Sequence, residues 1–492
     1  MKSITSSQMQ AIDINCECLG LSRMQLMENA GASIAQAVRS SISSGRVVLV
    51  AGRGNNGGDA FVAARHLSSY EDIHTQVILI GRRSMIKTEE ALKNFDLLKY
   101  SGIEAMQITD SSSLENCESL RSADIIVDAI FGTGVKGSIR EPESTAIDII
   151  NSTGSSVISV DIPSGFDPDG NSFEKSIMAD KTLTFHRLKK GLAREDVERY
   201  TGAIEVIDIG VCRDAEVYVG SGNLTMLNRR QVDSHKGQSG RILVVGGGEY
   251  FGAPALTAMA SLRTGADIVT LALPRGVDDI VSAYSPNLIV RSLSDDRLCV
   301  EDVPVILKMI QSHDVLVIGN GLGRSDEIGE AISMILPYCR KVVVDADGFA
   351  GLKNIPVNDC DMILTPHAGE FSRLIGKKPP SDPLHRLESV LEYSRKNRVV
   401  TLLKGKVDII SDGEDVLLNR TGNEGMTVGG TGDVLAGIVG TLFAVNPAME
   451  AASCGAFING VAGDLAFEEH SYGLLATDII DRITEVTRKE MS

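Results

Sequence analysis

Residues 47–67 read VVLVAGRGNNGGDAFVAARHL. This stretch passes from a short β-branched apolar run, through a glycine-rich turn, into a segment whose apolar residues recur at helical spacing. Such an order predicts a strand, a tight turn and a helix, which together open a parallel α/β sheet.

The first half of the chain repeats this alternation, as expected for βαβ units on one parallel sheet. A predicted helix at residues 24–40 precedes the first strand. The predicted strands of this half are residues 47–51, 76–80, 125–131, 156–161, 182–185 and 204–209. A polar segment at residues 220–240 follows them, and we place the boundary between two domains there.

The second half starts the pattern again, so we predict a second layered α/β domain. Its predicted strands are residues 241–245, 268–273, 315–318, 341–345, 362–365 and 399–404, and its last three helices lie within 432–444, 448–467 and 477–489. In both halves ligands are expected at the carboxyl ends of the strands.

Composition excludes several classes of protein. The chain has 492 residues, of which 43% are hydrophobic and 23% charged, values that are typical of folded globular proteins. A net charge of −17 disfavours nucleic-acid and anionic-membrane partners. The start of the sequence lacks the apolar stretch of a signal peptide, and the longest apolar run, residues 434–445, is too short for a bilayer. We therefore expect a cytoplasmic protein.

The eight cysteines are scattered and form no pair at the CxxC spacing. Reduced cytosolic thiols are the simplest interpretation. Cys16 and Cys18 form the one close pair, which leaves a metal role open there.

The glycine-rich turn first suggests a dinucleotide site. Gly52, Gly54 and Gly57 satisfy GxGxxG between a strand and a helix. Arg82 and Arg83 follow the second predicted strand, where they would suit the 2′-phosphate of NADP. An NADP-dependent dehydrogenase is therefore one hypothesis.

Polar side chains in the same turn favour a different ligand. Asn55, Asn56 and Asp59 line the turn, and a carboxylate at the helix start competes with a pyrophosphate for the positive helix end. The alternative is that Asp59 only caps the helix.

Two more strand ends carry polar groups. Asp128 ends a predicted strand and is followed by a glycine-rich loop at residues 132–138 that includes Lys136, which would favour an anion. Asp161 and Ser164 follow the next strand in the sequence VDIPSG. Carboxylates, amides and hydroxyls at three strand ends predict one binding site.

The motifs NNGGD, DxxFGTGxKG and VDIPSG resemble the YjeF N-terminal family, whose members epimerise NAD(P)HX, the hydrated forms of NADH and NADPH. The resemblance covers about residues 1–213. It implies substrate contacts at Asn55, Asn56, Gly57, Gly58, Asp59, Gly132, Thr133, Gly134, Val135, Lys136, Gly137 and Ser138. It also implies a potassium ion held by Asn56, Asp128 and Ser164, an oxygen-donor set that suits a hard cation.

Asp161 is the candidate acid/base of the first domain. The substrate has taken up water at C6, and inversion of that carbon requires proton transfer at the ring. A turn-capping role before Pro163 is the alternative.

A second candidate site lies near the end of the chain. The sequence VGGTGDVLAG at residues 428–437 joins a glycine loop to an apolar helix, whose free amides would bind a phosphoryl group. Asp433 is placed either to activate a hydroxyl or to cap the helix. Lys404 and Lys406 flank a glycine at one more strand end, and His367 follows another.

The motifs TPHxGEF, KG and GGTGDVLAG resemble the YjeF C-terminal family, ribokinase-like dehydratases of NAD(P)HX that use ADP. The resemblance covers about residues 220–490 and implies a three-layer ribokinase-like domain beside a three-layer Rossmann-like one. Implied nucleotide contacts are Lys404, Gly405, Lys406, Val407, Asp408, Asn423, Glu424, Gly425, Met426, Thr427, Val428, Gly429, Gly430, Thr431 and Gly432. Implied substrate contacts are Ala253, Gly321, His367, Ala368, Gly369, Glu370, Phe371, Ser372, Arg373 and Asp433.

The expected mechanism follows from leaving groups, because phosphate leaves carbon more readily than hydroxide. With the help of Asp433, the C6 hydroxyl attacks the terminal phosphate of ADP, and elimination of phosphate restores the dihydronicotinamide. AMP and phosphate are released. Magnesium is expected with the nucleotide, although no ligands for it are evident. His367 either orients the ring or packs at a strand end.

The resemblances predict a bifunctional isomerase and lyase that acts on NADHX and NADPHX, with no nucleic-acid or membrane partner, and we expect a homo-oligomer. One rival hypothesis is a vitamin or sugar kinase, although TVGGTGD differs from the DTxGAGD form of sugar kinases. Another rival treats the first half as a non-catalytic module. Asp59, Asp128 and Asp161 together argue against that module.

Overall fold

The computed structural model describes residues 3–134, 137–170, 174–228, 230, 233–354 and 360–491, apart from the side chains of residues 353, 354 and 489–491. The chain divides into two compact units, Met1–Ala215 and Glu216–Ser492.

The first unit is built on a parallel sheet of seven strands in the order β3-β2-β1-β4-β5-β6-β7. The strands are β1 (Gly45–Ala51), β2 (Ile73–Ile80), β3 (Ala105–Ile108), β4 (Ile125–Ala129), β5 (Ser156–Val160), β6 (Lys181–Phe185) and β7 (Ala203–Ile207). The order reverses between β1 and β4, and in such sheets ligands bind beyond the carboxyl ends of the strands at this point.

Helices cover both faces of this sheet, so that its core strands are buried on both sides. They are α1 (Ser6–Cys18), α2 (Arg23–Ser41), α3 (Asn55–Leu67), α4 (Glu89–Leu97), α5 (Ser111–Glu115), α6 (Glu118–Arg121), α7 (Glu143–Ser152), α8 (Glu198–Thr201) and α9 (Arg213–Val217). A capping box fixes the start of α2, because Ser22 and Gln25 each accept a hydrogen bond from the other's backbone amide. The predicted three-layer α/β fold is confirmed.

The second unit contains a sheet of nine strands in the order β10-β9-β8-β11-β12-β13-β14-β15-β16. The strands are β8 (Arg241–Val245), β9 (Ile268–Leu273), β10 (Ile289–Ser292), β11 (Val315–Ile318), β12 (Lys341–Val344), β13 (Asp361–Leu364), β14 (Val400–Leu403), β15 (Asp408–Ser411) and β16 (Val416–Asn419). The strands from β10 to β14 are parallel, whereas β15 and β16 add an antiparallel hairpin.

The helices of the second unit include the three that were predicted near its end. They are α10 (Ser221–Leu224), α11 (Gly252–Thr264), α12 (Val277–Ser282), α13 (Val303–Ile310), α14 (Asp326–Ile335), α15 (Ala368–Ile375), α16 (Pro383–Asn397), α17 (Thr431–Val445), α18 (Ala448–His470) and α19 (Ala476–Met491). Helix α17 is apolar on all sides because it packs against the sheet and between α11 and α18. Among the described residues, no helix has the length and apolar character that crossing a membrane requires.

Four strands were not predicted. Strands β3 and β10 carry exposed side chains along most of their length and therefore lack a buried apolar run. Strands β15 and β16 form a hairpin of four residues each, and β16, at the edge of the sheet, is only partly buried over its first three residues.

Candidate active sites

Polar side chains of the first unit meet at the carboxyl ends of β1, β4 and β5. Ser164 donates a hydrogen bond from its hydroxyl to Asp128 Oδ1 at 2.5 Å, and its backbone amide donates to Asp128 Oδ2 at 2.8 Å. The Asn56 amide donates to the carbonyl oxygens of Phe131 and Val160 at 2.9 and 3.2 Å. Because Phe131 N–H in turn donates to Ser164 Oγ at 2.9 Å, Asn56, Asp128 and Ser164 form one local cluster.

The oxygen atoms of this cluster suit a hard cation. Asp128 is fully buried, and burial raises the pKa of its carboxyl, although hydrogen bonds from Ser164, Ser159 and the Ile130 amide oppose that effect. Within the described part of the chain, the contacts of Asp128 are hydrogen-bond donors and none is a cation. A cation beside the carboxylate would therefore offset its burial.

Asp161 lies at the end of β5 in an unusual backbone conformation. Its φ of +65° places a non-glycine residue in the left-handed region, which costs about 1–3 kcal/mol and is typical of functional sites. The Lys189 ammonium lies 2.5 Å from Asp161 Oδ1, and the lysine side chain is only 1% exposed. Asp161 is therefore a carboxylate with a buried cationic partner.

Two more carboxyl groups surround this ion pair. Burial and the charges of Asp161 and Asp13 raise the pKa of Asp59 well above its ordinary value, and Lys189 only partly opposes them. Burial and Asp161 also raise the pKa of Asp13, on α1, to about 6. Two carboxyl groups with raised pKa values therefore lie close to the Asp161–Lys189 ion pair.

The glycines of the first turn have different roles. A Cβ on Gly57 would lie 2.1 Å from the Gly52 carbonyl oxygen, and one on Gly58 would lie 2.6 Å from Met27, so both residues are needed for close packing. A Cβ on Gly54 would meet no atom within 4 Å. Gly54 precedes α3 without a side-chain cap, so the first amides of this helix remain available to a ligand.

The second predicted loop lies next to the oxygen cluster. A Cβ on Gly132 would be 3.4 Å from Asn56, which places the start of the loop beside the candidate cation site. Gly134, Gly137 and Ser138 are exposed, and Thr133 is partly buried. Val135 and Lys136 lie outside the described residues.

In the second unit, one amide joins two carboxylates. Asn320 Nδ2 donates to Asp433 Oδ1 at 2.7 Å and to Asp345 Oδ2 at 3.1 Å. The Lys404 ammonium lies 2.9 Å from Asp345 Oδ1. A Cβ on Gly432 would be 3.3 Å from Lys404 Nζ, so Lys404 and Asp433 belong to the same site.

The two key ionisable groups of this site are both perturbed. Burial, followed by the charge of Asp345, raises the pKa of Asp433 to about 6, against the effects of Asn320 and Lys404. Burial alone would lower the pKa of Lys404, but Asp345, Glu370 and Asp433 raise it above its ordinary value. Asp433 is thus a carboxyl poised near neutral pH, as a general base requires.

The start of α17 is suited to an anion. Gly430 precedes the helix with φ of +99° and no side-chain cap. A Cβ there would approach Leu256 to 2.6 Å, so a larger residue would both strain the turn and crowd it. The first amides of a long helix therefore point out of a tight glycine turn, beside the Lys404 ammonium.

His367 is a helix cap in this structure. Its Nδ1 accepts hydrogen bonds from the Gly369 and Glu370 amides, while Glu370 accepts one from the His367 amide. The His367 ring is 55% exposed and pairs through its backbone with Lys404, next to the site. The alternative of a packed histidine does not hold, because the ring caps α15 at the surface.

Several predicted contact residues have structural roles. Phe371 is fully buried and packs edge-on against Tyr393 with ring centroids 5.5 Å apart, so its side chain belongs to the core, and its predicted substrate contact stays a prediction. Arg373 is exposed on the same helix, α15, and Ser372 donates a hydrogen bond to the Lys377 carbonyl. Ala368 and Gly369 form the first turn of that helix.

The predicted nucleotide segments also contribute to the framework. Asp408 accepts hydrogen bonds from the Gly405 amide and from Asn419, which stabilises the β15–β16 hairpin. Asn423 donates to Asp464 Oδ1 at 2.8 Å and caps the short turn Glu424–Thr427. The side chains of Asp408 and Asn423 therefore form hydrogen bonds within the protein, whereas Lys406 and Val407 are exposed close to Lys404 in the chain.

The remaining predicted contacts lie close to these segments. A Cβ on Gly321 would lie 3.0 Å from Ala253, so the structure brings these two together. Thr431 donates its hydroxyl hydrogen to the Met426 carbonyl, which ties the glycine loop to that turn. Val428 and Gly429 lie between them in the chain.

Sequence reasoning missed three residues of the two sites. Lys189 and Asp13 carried no motif, and they reach Asp161 only through the fold. Asn320 was not predicted, although its neighbour Gly321 was among the implied substrate contacts. Its position directly after β11, between two aspartates that also follow glycine-rich or strand-end motifs, was the available signal.

Comparison with known proteins identifies relatives of both units. A family described as YjeF-related protein N-terminus matches residues 23–191, and one described as NAD(P)H-hydrate dehydratase matches residues 242–485. The bifunctional NAD(P)H-hydrate repair enzyme Nnr of Archaeoglobus fulgidus is 42% identical over 99% of this chain and 98% of its own. The enzyme of the same name from Methanothermobacter thermautotrophicus is 41% identical over 97% of this chain and 94% of its own.

A solved structure resembles one part of the chain. It is an ADP/ATP-dependent NAD(P)H-hydrate dehydratase from Bacillus subtilis co-crystallised with ATP and Mg²⁺. It is 25% identical with a TM-score of 0.50, and the match covers 56% of this chain and 98% of that one.

Proposed function

The chain belongs to the family of bifunctional NAD(P)H-hydrate repair enzymes, and from this premise we propose how its two units divide the repair. The first unit epimerises the R and S forms of NAD(P)HX. The second unit dehydrates (S)-NAD(P)HX to NAD(P)H with ADP and releases AMP and phosphate. We assign the epimerase to a domain at residues 1–213 and the dehydratase to one at residues 220–490.

The observation that carries the dehydratase proposal is the joint placement of Asp433, Asn320, Asp345 and Lys404 at the uncapped start of α17. Helix amides and the ammonium hold the terminal phosphate, and they stabilise the charge that develops on it during transfer. Asp433, which Asn320 orients, takes the proton of the C6 hydroxyl as that oxygen attacks phosphorus.

Elimination completes the reaction. The C6–O bond then breaks with phosphate as the leaving group, a proton is lost from C5, and the ring double bond is restored. Glu370 and His367 border this site and are the proposed contacts to the substrate. Because a kinase would stop at the phosphate ester, the recovery of NADH distinguishes this proposal from the rival sugar or vitamin kinase.

Asp161 is the proposed acid/base of the first unit. C6 of the substrate bears both the hydroxyl and the ring nitrogen, so loss of the hydroxyl proton can open the C6–N1 bond to an aldehyde. Rotation about the C5–C6 bond and closure on the other face invert the carbon. The Asp161 carboxylate is only 13% exposed and is paired with the Lys189 ammonium, and we assign it the role of taking that proton.

The proposal includes two metal ions. Asn56, Asp128 and Ser164 would hold potassium, whose charge would offset the buried Asp128 carboxylate near the substrate. Magnesium would come bound to the nucleotide phosphates, as is general for phosphoryl transfer. A cytoplasmic location and a homo-oligomer stay predictions.

A pair of substitutions tests the assignment with both epimers and ADP supplied together. Asp433→Asn should lose NADH recovery while it still equilibrates the epimers. Asp161→Asn should recover NADH from the S epimer at the parent rate and from the R epimer only slowly. Equal conversion of both epimers by both variants would overturn the residue roles, and a count of AMP against ADP released identifies the phosphoryl donor.

A further inference from the structure

Lys189 is a buried lysine beside the proposed acid/base of the first unit. Its side chain is 1% exposed, and its ammonium touches Asp161 Oδ1 at 2.5 Å and the Phe185 carbonyl oxygen at 2.8 Å. Burying an ammonium costs folding free energy unless it is paired and hydrogen-bonded. A buried lysine at this position therefore points to a role in the site.

The charges around Lys189 do not balance. Three carboxyl groups act on one another here, those of Asp161 after β5, Asp59 on α3 and Asp13 on α1. Lys189 is the cation that acts on both Asp59 and Asp13, and Arg23 acts on Asp13 alone. The ammonium of Lys189 contacts the Asp161 carboxylate at 2.5 Å, whereas burial and the charge of Asp161 raise the pKa of the neighbouring Asp59.

The fold fixes Lys189 in this position from a second side. The chain near its start pairs with the lysine segment, since the Ile4 amide donates to the Leu188 carbonyl at 2.9 Å and the Lys190 amide donates to the Ile4 carbonyl at 2.8 Å. Backbone hydrogen bonds to Ile4 fix the segment around Lys189, and contacts with Asp161 and Phe185 fix its ammonium.

We propose that Lys189 is a positioning residue of the epimerase, which holds Asp161 as the ionised base in its left-handed turn and thereby leaves Asp59 as the acid. This rests on the proposed epimerase function of the first unit. The lysine acts through Asp161 and does not itself contact the reacting atoms.

The assignment gives each proton a place. Asp161 takes the hydroxyl proton as the C6–N1 electron pair moves to nitrogen, and Asp59 gives its proton to N1. After rotation of the aldehyde, Asp59 takes the proton back from N1 as the C6–N1 bond forms again, and Asp161 returns its proton to oxygen. No external oxidant, reductant or co-reactant is needed.

The test compares Lys189→Met, Lys189→Arg and the control Lys190→Met in the full chain. Lys190 is the exposed neighbour of the buried lysine, so its loss removes the same charge from the sequence but not from the site. Equilibration of purified (R)-NADHX is followed without ADP across pH 5–9, so that the second unit is idle. Dehydration of (S)-NADHX with ADP, measured on the same samples, reports on the rest of the chain.

Lys189→Met should lower kcat for epimerisation about 100-fold, leave KM within about threefold, and move the acid limb of the rate profile at least one pH unit upward. Lys189→Arg should recover at least tenfold of the loss and restore the limb, whereas Lys190→Met should match the parent. A parent-like rate in Lys189→Met, or a slower rate with an unmoved limb, would overturn the proposal.

A second measurement covers the case in which Lys189→Met does not fold. Carbon-13 titration of labelled aspartate carboxyls in the parent, assigned with Asp161→Asn and Asp59→Asn, should find Asp161 ionised and Asp59 protonated at pH 7. The opposite order would refute the inference. A parent that does not interconvert the epimers would instead refute the proposed function, while this titration still decides the charge arrangement.

Discussion

Asp433→Asn should make the second unit more stable while it removes dehydration. The pKa of Asp433 is raised from 3.8 to about 6, chiefly by burial, so the folded protein binds this proton more tightly than the unfolded chain does. The stability that the group contributes is complete below pH 3.8 and is lost as the pH rises through about 6. Above that range the buried carboxylate is a cost.

The magnitude follows from the shift. About two pKa units at about 1.4 kcal/mol each correspond to at most about 3 kcal/mol at pH 8. Asparagine keeps an oxygen that can accept the hydrogen bond from Asn320, so the variant retains this contact without the charge. Loss of a general base should slow dehydration by about 10²- to 10⁴-fold.

Calorimetry of the full chain at pH 4 and pH 8 measures the effect, with the transition of the second unit identified by its shift in ADP. At pH 8 the variant should melt several degrees higher, and at pH 4 the two proteins should coincide. Asp296→Asn is the control, because this exposed loop carboxylate pairs with the exposed Arg297 at the surface. A variant that is less stable than the parent at pH 8, or that dehydrates within a few-fold of it, would refute this explanation of the site.

Three further outcomes are expected. In Gly57→Ala the new Cβ would lie 2.1 Å from the Gly52 carbonyl oxygen, so this variant should destabilise the first unit by about 1–3 kcal/mol and abolish epimerisation. Gly54→Ala is the control and should melt like the parent. Equal melting temperatures of the two variants would contradict the packing role of Gly57. Phe371→Ala should cost about 3–5 kcal/mol in the second unit, and a loss below 1 kcal/mol would argue for a surface position. The dehydration rate of the parent should fall by half near pH 6 as Asp433 gains its proton, which a rate profile between pH 5 and 8 would check.

The sequence predicted the elements that carry strong local signals. Buried strands such as β1 and β11 are short β-branched runs, and glycine turns such as the one before α17 need a left-handed residue. Because β1, β4 and β5 are parallel, the polar residues that follow them meet at one edge of the sheet. This is why Asn56, Asp128 and Ser164 could be placed together from three distant motifs.

Other parts of the sites depend on contacts that no local pattern records. Lys189 stands in the sequence LKKG, where two adjacent lysines suggest an exposed charged turn, and only its pairing with Ile4 and Asp161 buries one of them. Motif membership also does not say which way a side chain points. Phe371 and Asp408 lie within matching motifs, yet one packs in the core and the other closes a hairpin.

Helix α17 ties the chemistry of the second unit to its interior. A Cβ on Gly437 would lie 2.2 Å from the Thr257 carbonyl oxygen, and one on Gly440 would lie 2.5 Å from Val317. The helix therefore packs closely against its neighbours well beyond its first turn. A larger residue at either glycine would push α17 away from these neighbours and displace the N-terminal amides that bind the phosphate in the proposed mechanism. Substitution at Gly437 and Gly440 is therefore restricted although both lie away from the ligand, and we expect few accepted changes at these two positions among relatives of the enzyme.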